Sequence, residues 1–250
     1  MKTLLHDWPR PLRFILYFRV SSMAALLLIS GCAFLHKRPP YRDITRLWRA
    51  VKVASAGAEP ILYTDFLALR SEGKTLESVA AYVFRDRALS DGSAPERIHS
   101  AMVSTDFFQA LGSEPILGRA FLSEECQSGR NQVVIISQNL WRRRFDVDPN
   151  IIGRTITLDQ ERHTIVGVMP PDFQFPAECD VWTPLAFDES TRLENGSSIL
   201  FVRLKPGVTL QQAQDDMNDI ARKLERDYPQ TNKDRDIKLT GLFKLVIKKN

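Results

Sequence analysis

Hydrophobic and polar positions along the chain fall into two regimes that meet at Pro39-Pro40. Before that pair, residues 14–35 are apolar apart from Arg19 and three serines. As a helix this run is about 33 Å long, enough to cross a hydrocarbon core of about 30 Å. Arg19 would cost about 3 kcal/mol at the bilayer centre, but in the second turn it can snorkel outward. The pattern therefore predicts a transmembrane helix over 14–35.

After Pro39-Pro40, short apolar clusters alternate with Gly and Pro, which predicts a mixed series of strands and helices. Asp65–Arg70 and Leu76–Tyr82 read as two short helical pieces broken at Gly73. His99–Ser104 reads as a strand, followed by a short helix with Thr105 as N-cap and Gly112 at its end. Val133–Ile136 is a β-branched run suited to a buried strand, and Ser137 is placed to cap a helix over Asn139–Phe145. Thr155–Leu158 and His163–Met169 flank the polar tip Asp159-Gln160-Glu161-Arg162, a hairpin pattern. Ile199–Leu204 reads as a strand. The clearest element is a helix from Thr209 to about Tyr228, opened by a Thr209/Gln212 capping box and closed by Pro229. Leu210, Ala213, Met217, Ile220, Ala221, Leu224 and Tyr228 share one face of it. Such a helix belongs on a sheet, so the fold class is α+β, with two lobes following the transmembrane helix.

Composition adds little to this, but the placement of charge adds more. Hydrophobic content of 44% and charged content of 26% are ordinary for a globular chain. The net charge of +4 invites a nucleic-acid reading. Residues 1–38 hold six bases and one acid, which leaves 28 bases and 29 acids for 39–250. Phosphate recognition needs a concentrated basic face, and here the excess flanks an apolar segment instead. Nucleic acid is excluded as a partner. Bases on both sides of 14–35 leave the positive-inside rule undecided. A second reading of the same stretch is a cleaved signal, because Ile29-Ser30-Gly31-Cys32 resembles a lipobox. On that reading the chain is a lipoprotein-type binding protein anchored through Cys32.

The search for chemistry returns no constellation. Glu72-Gly73-Lys74-Thr75 resembles the end of a phosphate loop, but Ala68 stands where the first glycine belongs. His6, His36, His99 and His163 are scattered without metal spacing. Ser104 and Ser137 follow strands, yet neither lies in a nucleophile-elbow motif, and capping accounts for both. Cys32, Cys126 and Cys179 show no CxxC spacing; Cys126 and Cys179 are open to pairing or to standing as two lone thiols. Arg142-Arg143-Arg144 beside Trp141 reads as a solvated helix end, since on a helix the three point in different directions. No catalytic, cofactor-binding or metal-binding residue is predicted, and no cofactor; the chain reads as a non-enzyme.

A series of short motifs resembles the MacB-like periplasmic core domain of ABC-transporter permeases. The opening pieces are Tyr63-Thr64-Asp65-Phe66 and Leu76–Tyr82. Val103–Gly112 and Leu117-Gly118-Arg119-Ala120-Phe121 resemble the central motif. Leu140–Phe145, Asp148-Pro149, Gly153-Arg154, Leu158-Asp159, Val166–Pro170 and Phe173–Pro176 follow in family order, and Arg203–Thr209 closes the block. Arg38–Tyr41 and Arg46-Leu47 resemble the link after the first transmembrane helix. The resemblance implies residues 1–13 in the cytoplasm, 14–35 in the bacterial inner membrane, and 39–250 as a periplasmic domain. It implies a non-catalytic part that transmits movement or contacts partners in export, beside other permease subunits and a separate ABC ATPase. It supplies no catalytic residues; Arg119 and Arg154 are expected in local pairing. A complete permease of this kind has three further transmembrane helices, and Leu242–Asn250 is too short and basic to span, so either a truncated form or an anchored accessory domain is expected.

Overall fold

Strand pairing organises everything described in the computed structural model, which covers residues 41–59, 61–90, 94–176, 178–186 and 198–242. The apolar run 14–35 and Cys32 lie outside those residues. Among the described residues no helix is long and apolar enough to cross a membrane.

The strands are β1 (Leu47–Ala54), β2 (Gly57–Glu59), β3 (Leu76–Phe84), β4 (Arg87–Ser90), β5 (Glu96–Ile98), β6 (Ser100–Val103) and β7 (Leu117–Gly118). They continue as β8 (Val133–Ile136), β9 (Thr155–Leu158), β10 (Glu161–Val168), β11 (Val181–Pro184), β12 (Ser198–Leu204) and β13 (Asp236–Gly241). The helices are α1 (Tyr63–Glu72), α2 (Phe107–Leu111), α3 (Gln138–Phe145), α4 (Leu210–Asp227) and α5 (Pro229–Asn232). One mixed sheet runs β13-β1-β12-β3-β6-β11-β8-β10-β9-β4-β5, with β2 on β1 and β7 on β10. Only β8/β10 and β6/β11 pair in parallel among the described strands. The two expected lobes are not seen among the described residues, which fall in one compact unit.

Alternation along the strands assigns the two faces. Leu200 lies opposite Ala81 and Val202 opposite Val79, while Phe201 lies opposite Ala80. The first set meets α1 and α4 through Phe66, Leu69, Ala213, Met217, Ile220, Ala221 and Leu224. Across β6 and β11 the same face carries Val181, which with Val134, Ile136, Ile165 and Val168 packs on Leu140 and Phe145 of α3. The other face carries Tyr82, Val103, Ile135, Trp182 and Phe201 against α2 and the phenylalanines at 121, 173 and 175. One face is helical and mostly aliphatic, and the other is aromatic.

Several expectations hold in detail. Val133–Ile136 is a strand, and Ser137 caps α3 by accepting from Leu140 N at 3.0 Å. Thr209 and Gln212 form the capping box of α4. Its buried stripe is Ala213–Leu224, while Leu210 and Tyr228 at the ends stay exposed. Others need correction. Leu76–Tyr82 is not helical but part of β3. Its alanines suit a helix locally, but as a central strand between β12 and β6 it needs small residues on two buried faces. Thr105 does not cap α2: Asp106 holds the N-cap position, and Phe107 N turns back to Ser104 O at 3.1 Å. The hairpin tip is two residues, Asp159-Gln160, both at positive φ (49° and 74°), so Glu161 and Arg162 already belong to β10.

Candidate functional site

The loops that resemble chemical motifs turn out to be joints. Thr75 donates from its N and Oγ1 to Asp216 Oδ2 of α4, at 2.8 and 2.6 Å. The amide a phosphate would need is therefore already bonded to a carboxylate, and Lys205 Nζ closes the loop on Lys74 O at 2.7 Å. Gly73 packs so tightly that an added Cβ would sit 2.6 Å from Leu76 Cδ1. Ser104 Oγ accepts from Ala81 N at 3.0 Å, a strand-pairing bond rather than a nucleophile's setting. His99 is exposed and bonded to Asp86, whereas His163 is buried with Nδ1 3.1 Å from Glu161 O. Cys126 and Cys179 are both free; burial pushes the Cys179 thiol up to about 12. Neither forms the disulfide that the sequence left open.

The basic run also resolves into ties. Arg143 bridges Glu96 at 2.8 Å and Asp180 at 2.7 Å, Arg144 donates to Ala94 O at 2.6 Å, and Trp141 Nε1 donates to Asp148 O at 3.0 Å. Arg119 pairs with Glu125 at 2.6 Å, and Arg154 lies 5.0 Å from the centre of the Phe145 ring, so both make the local contacts expected of them.

What the geometry does bring together is the place where the chain joins the sheet. Residues 41–46 cross the aromatic face before β1 begins. Tyr41 lies edge-on to Phe173 and Phe175, with centroids 5.8 and 6.2 Å away, and its hydroxyl accepts from Gln174 N at 3.3 Å. Arg42 N donates to Leu111 O at 3.0 Å. Asp43 adopts a left-handed backbone (φ 41°), tolerable for this short polar residue, and opens the 3-10 turn Ile44–Arg46.

Arg203 fastens this segment. It stands on β12 beside Phe201, is 1% exposed, and turns its guanidinium onto main-chain carbonyls. Nε donates to Ala110 O at 2.6 Å, Nη1 to Asp43 O at 3.2 Å, and Nη2 to Arg42 O. One fork thus satisfies the last turn of α2 and two links of the incoming chain, the use to which a planar five-donor group is best suited. Burial pulls its pKa below the ordinary guanidinium value. Gly112, at φ 69°, closes the same corner; an added Cβ would lie 2.3 Å from Arg42 Cβ.

The outgoing chain meets the incoming one here. β13 pairs antiparallel with β1 so that Gly241 faces Trp48, and Leu242 joins Leu47 in the aromatic core. In the sequence Arg203 stands at the head of the motif Arg203–Thr209. The available signal was a lone base inside the apolar run Ile199–Leu204.

A mixed α/β sheet domain whose two chain connections lie side by side is the class that fold and site define. The description "MacB-like periplasmic core domain" belongs to the family model that matches residues 22–220, and the chain is a member of that family. Among solved structures, the periplasmic region of MacB from Actinobacillus actinomycetemcomitans is similar at TM-score 0.59 and 16% identity, over 86% of this chain and 98% of that one. The extracellular domain of the ABC-type transporter YknZ from Gram-positive bacteria is similar at TM-score 0.58 and 13% identity, over 77% and 99%. At those identities the likeness concerns the fold. No protein of curated function matches.

Proposed function

We propose that this chain is the outer part of an ABC-transporter permease, held at the bacterial inner membrane by residues 14–35, with 1–13 in the cytoplasm and the domain on the periplasmic side. The domain carries no catalytic step and uses no cofactor. It passes movement between the membrane segment and other permease subunits, which a separate ABC ATPase drives. The observation that carries this reading is the pairing of the connections, Trp48 opposite Gly241 beneath the Arg203 fork. A displacement of the incoming chain reaches β1 and its neighbour together, because six ladder positions join β1 to β13. Protease added to intact spheroplasts is expected to cut the domain while leaving a membrane-held N-terminal piece. A native protein recovered in the soluble cytoplasmic fraction overturns the proposal.

The second reading, a lipoprotein-type binding protein, is favoured by Ile29-Ser30-Gly31-Cys32 alone. Mass spectrometry of the mature N-terminus separates the two. A terminus at Met1 or Lys2 supports the transmembrane anchor, and a lipid-modified Cys32 supports the lipoprotein.

A further inference from the structure

Among the described residues the sheet ends at β13, whose one paired side faces β1. An end strand of six residues presents backbone donors and acceptors to any extended chain. On β13 two of those groups are already taken by a side chain from α4. Gln214 Nε2 donates to Ile237 O at 2.7 Å, and Gln214 Oε1 accepts from Leu239 N at 3.0 Å. In a parallel ladder, a neighbouring residue donates to the carbonyl on one side of its partner and accepts from the amide on the other. The Gln214 amide makes that same pair of bonds around Lys238. Its orientation is fixed by a third bond, Nε2 to Asn218 Oδ1 at 3.0 Å. The helix beneath it is held by the Thr209/Gln212 capping box.

We infer that Gln214 is a lock on an interaction edge: its amide fills one residue's place in a missing strand and keeps β13 of one copy from pairing with β13 of a second copy. The partner follows from the charge order on the strand. Two copies related by a two-fold axis through Ile237 set Asp236 of each against Lys238 of the other, so the edge complements itself. Within one copy these two side chains are half-exposed and make an ion pair at 3.2 Å. The far edge of the sheet, β5, is three residues long and offers far less to pair with.

The test uses the full chain in detergent or nanodiscs. Mass photometry reads its assembly state, and hydrogen exchange reads the Leu239 amide. For Gln214→Ala, which keeps helix propensity high, exchange at Leu239 is expected to rise about tenfold and dimers to appear where wild type is monomeric. Gln214→Glu keeps the acceptor for Leu239 but turns a carboxylate on Ile237 O, and should dimerise as well. Adding Lys238→Asp to Gln214→Ala sets acid against acid and should restore the monomer, whereas Gln211→Ala, elsewhere on the helix, should behave as wild type. A Gln214→Ala chain that stays monomeric overturns the inference, whatever its exchange rate. So does a dimer that survives Lys238→Asp, or a wild-type dimer through this edge.

Discussion

The two faces of the sheet are made from the same strands, yet they close off in different ways. On the helical face, α1, α3 and α4 satisfy their own backbones and contribute mainly aliphatic side chains. On the aromatic face the cover is a five-residue helix and irregular chain, packed through rings such as Phe107, which meets Tyr82, Phe108, Phe175 and Phe201. Irregular chain leaves main-chain groups without regular partners, and buried ones must be paired by something else. Side chains do it here: Arg203 for three carbonyls, and Trp182 Nε1 for Phe175 O at 3.2 Å. Where regular structure runs out, single residues take on the work of a ladder. The aromatic face should therefore be the more fragile to point substitution.

The largest predicted effect sets one face directly against the other. Phe107→Ala removes a ring with four aromatic neighbours and is expected to cost about 4–5 kcal/mol, against about 3 kcal/mol for Leu224→Ala under α4. Urea midpoints of the two variants measure the gap, and equal losses would break the comparison. Next comes Arg203→Met, expected to cost about 3 kcal/mol because buried carbonyls lose a charged donor. Hydrogen exchange at the Arg42 amide should accelerate in the same variant. Arg203→Lys should not restore protection, since an ammonium offers no planar fork. Gly112→Ala is expected to cost about 2 kcal/mol, from a positive φ and the 2.3 Å approach to Arg42.

The sequence was legible where one face of an element repeats. The stripe of α4, the Ser137 cap and the Val133–Ile136 strand each depend on residues near one another in the chain, so local pattern carried them. β3 departs from the helical pattern because Ala80 and Ala81 lie opposite Phe201 and Leu200 of β12, a strand more than a hundred residues away in sequence. The site was less legible still. Arg203 lies 93 residues from Ala110 and 160 from Asp43, and carbonyl partners have no residue type to search for. Asp216 hid likewise among the charges of α4, although it is buried and bonded to Thr75.

The smallest predicted effect is a difference in how the faces respond to acid. His163 pairs with Ile156 on β9 and shares the face of Ile165, so it belongs to the helical side. Burial holds its pKa below the ordinary histidine value, and the nearby Arg87 pushes the same way; the Glu161 carbonyl, Glu161 and Asp159 oppose them. A folded-state pKa below the unfolded one means that the unfolded chain takes up protons first. Stability is then complete above a pH of about 6.5 and declines as pH falls from there toward the folded value. On the aromatic face, burial raises Tyr82 and Cys179 instead, so both stay neutral across that window. His163→Gln should therefore flatten the loss of stability between about pH 6.5 and 5, while Phe107→Ala lowers the whole curve and keeps its slope. Urea titrations at several pH values measure both slopes. A wild-type slope retained in His163→Gln would move the acid response away from this histidine and dissolve the contrast between the faces.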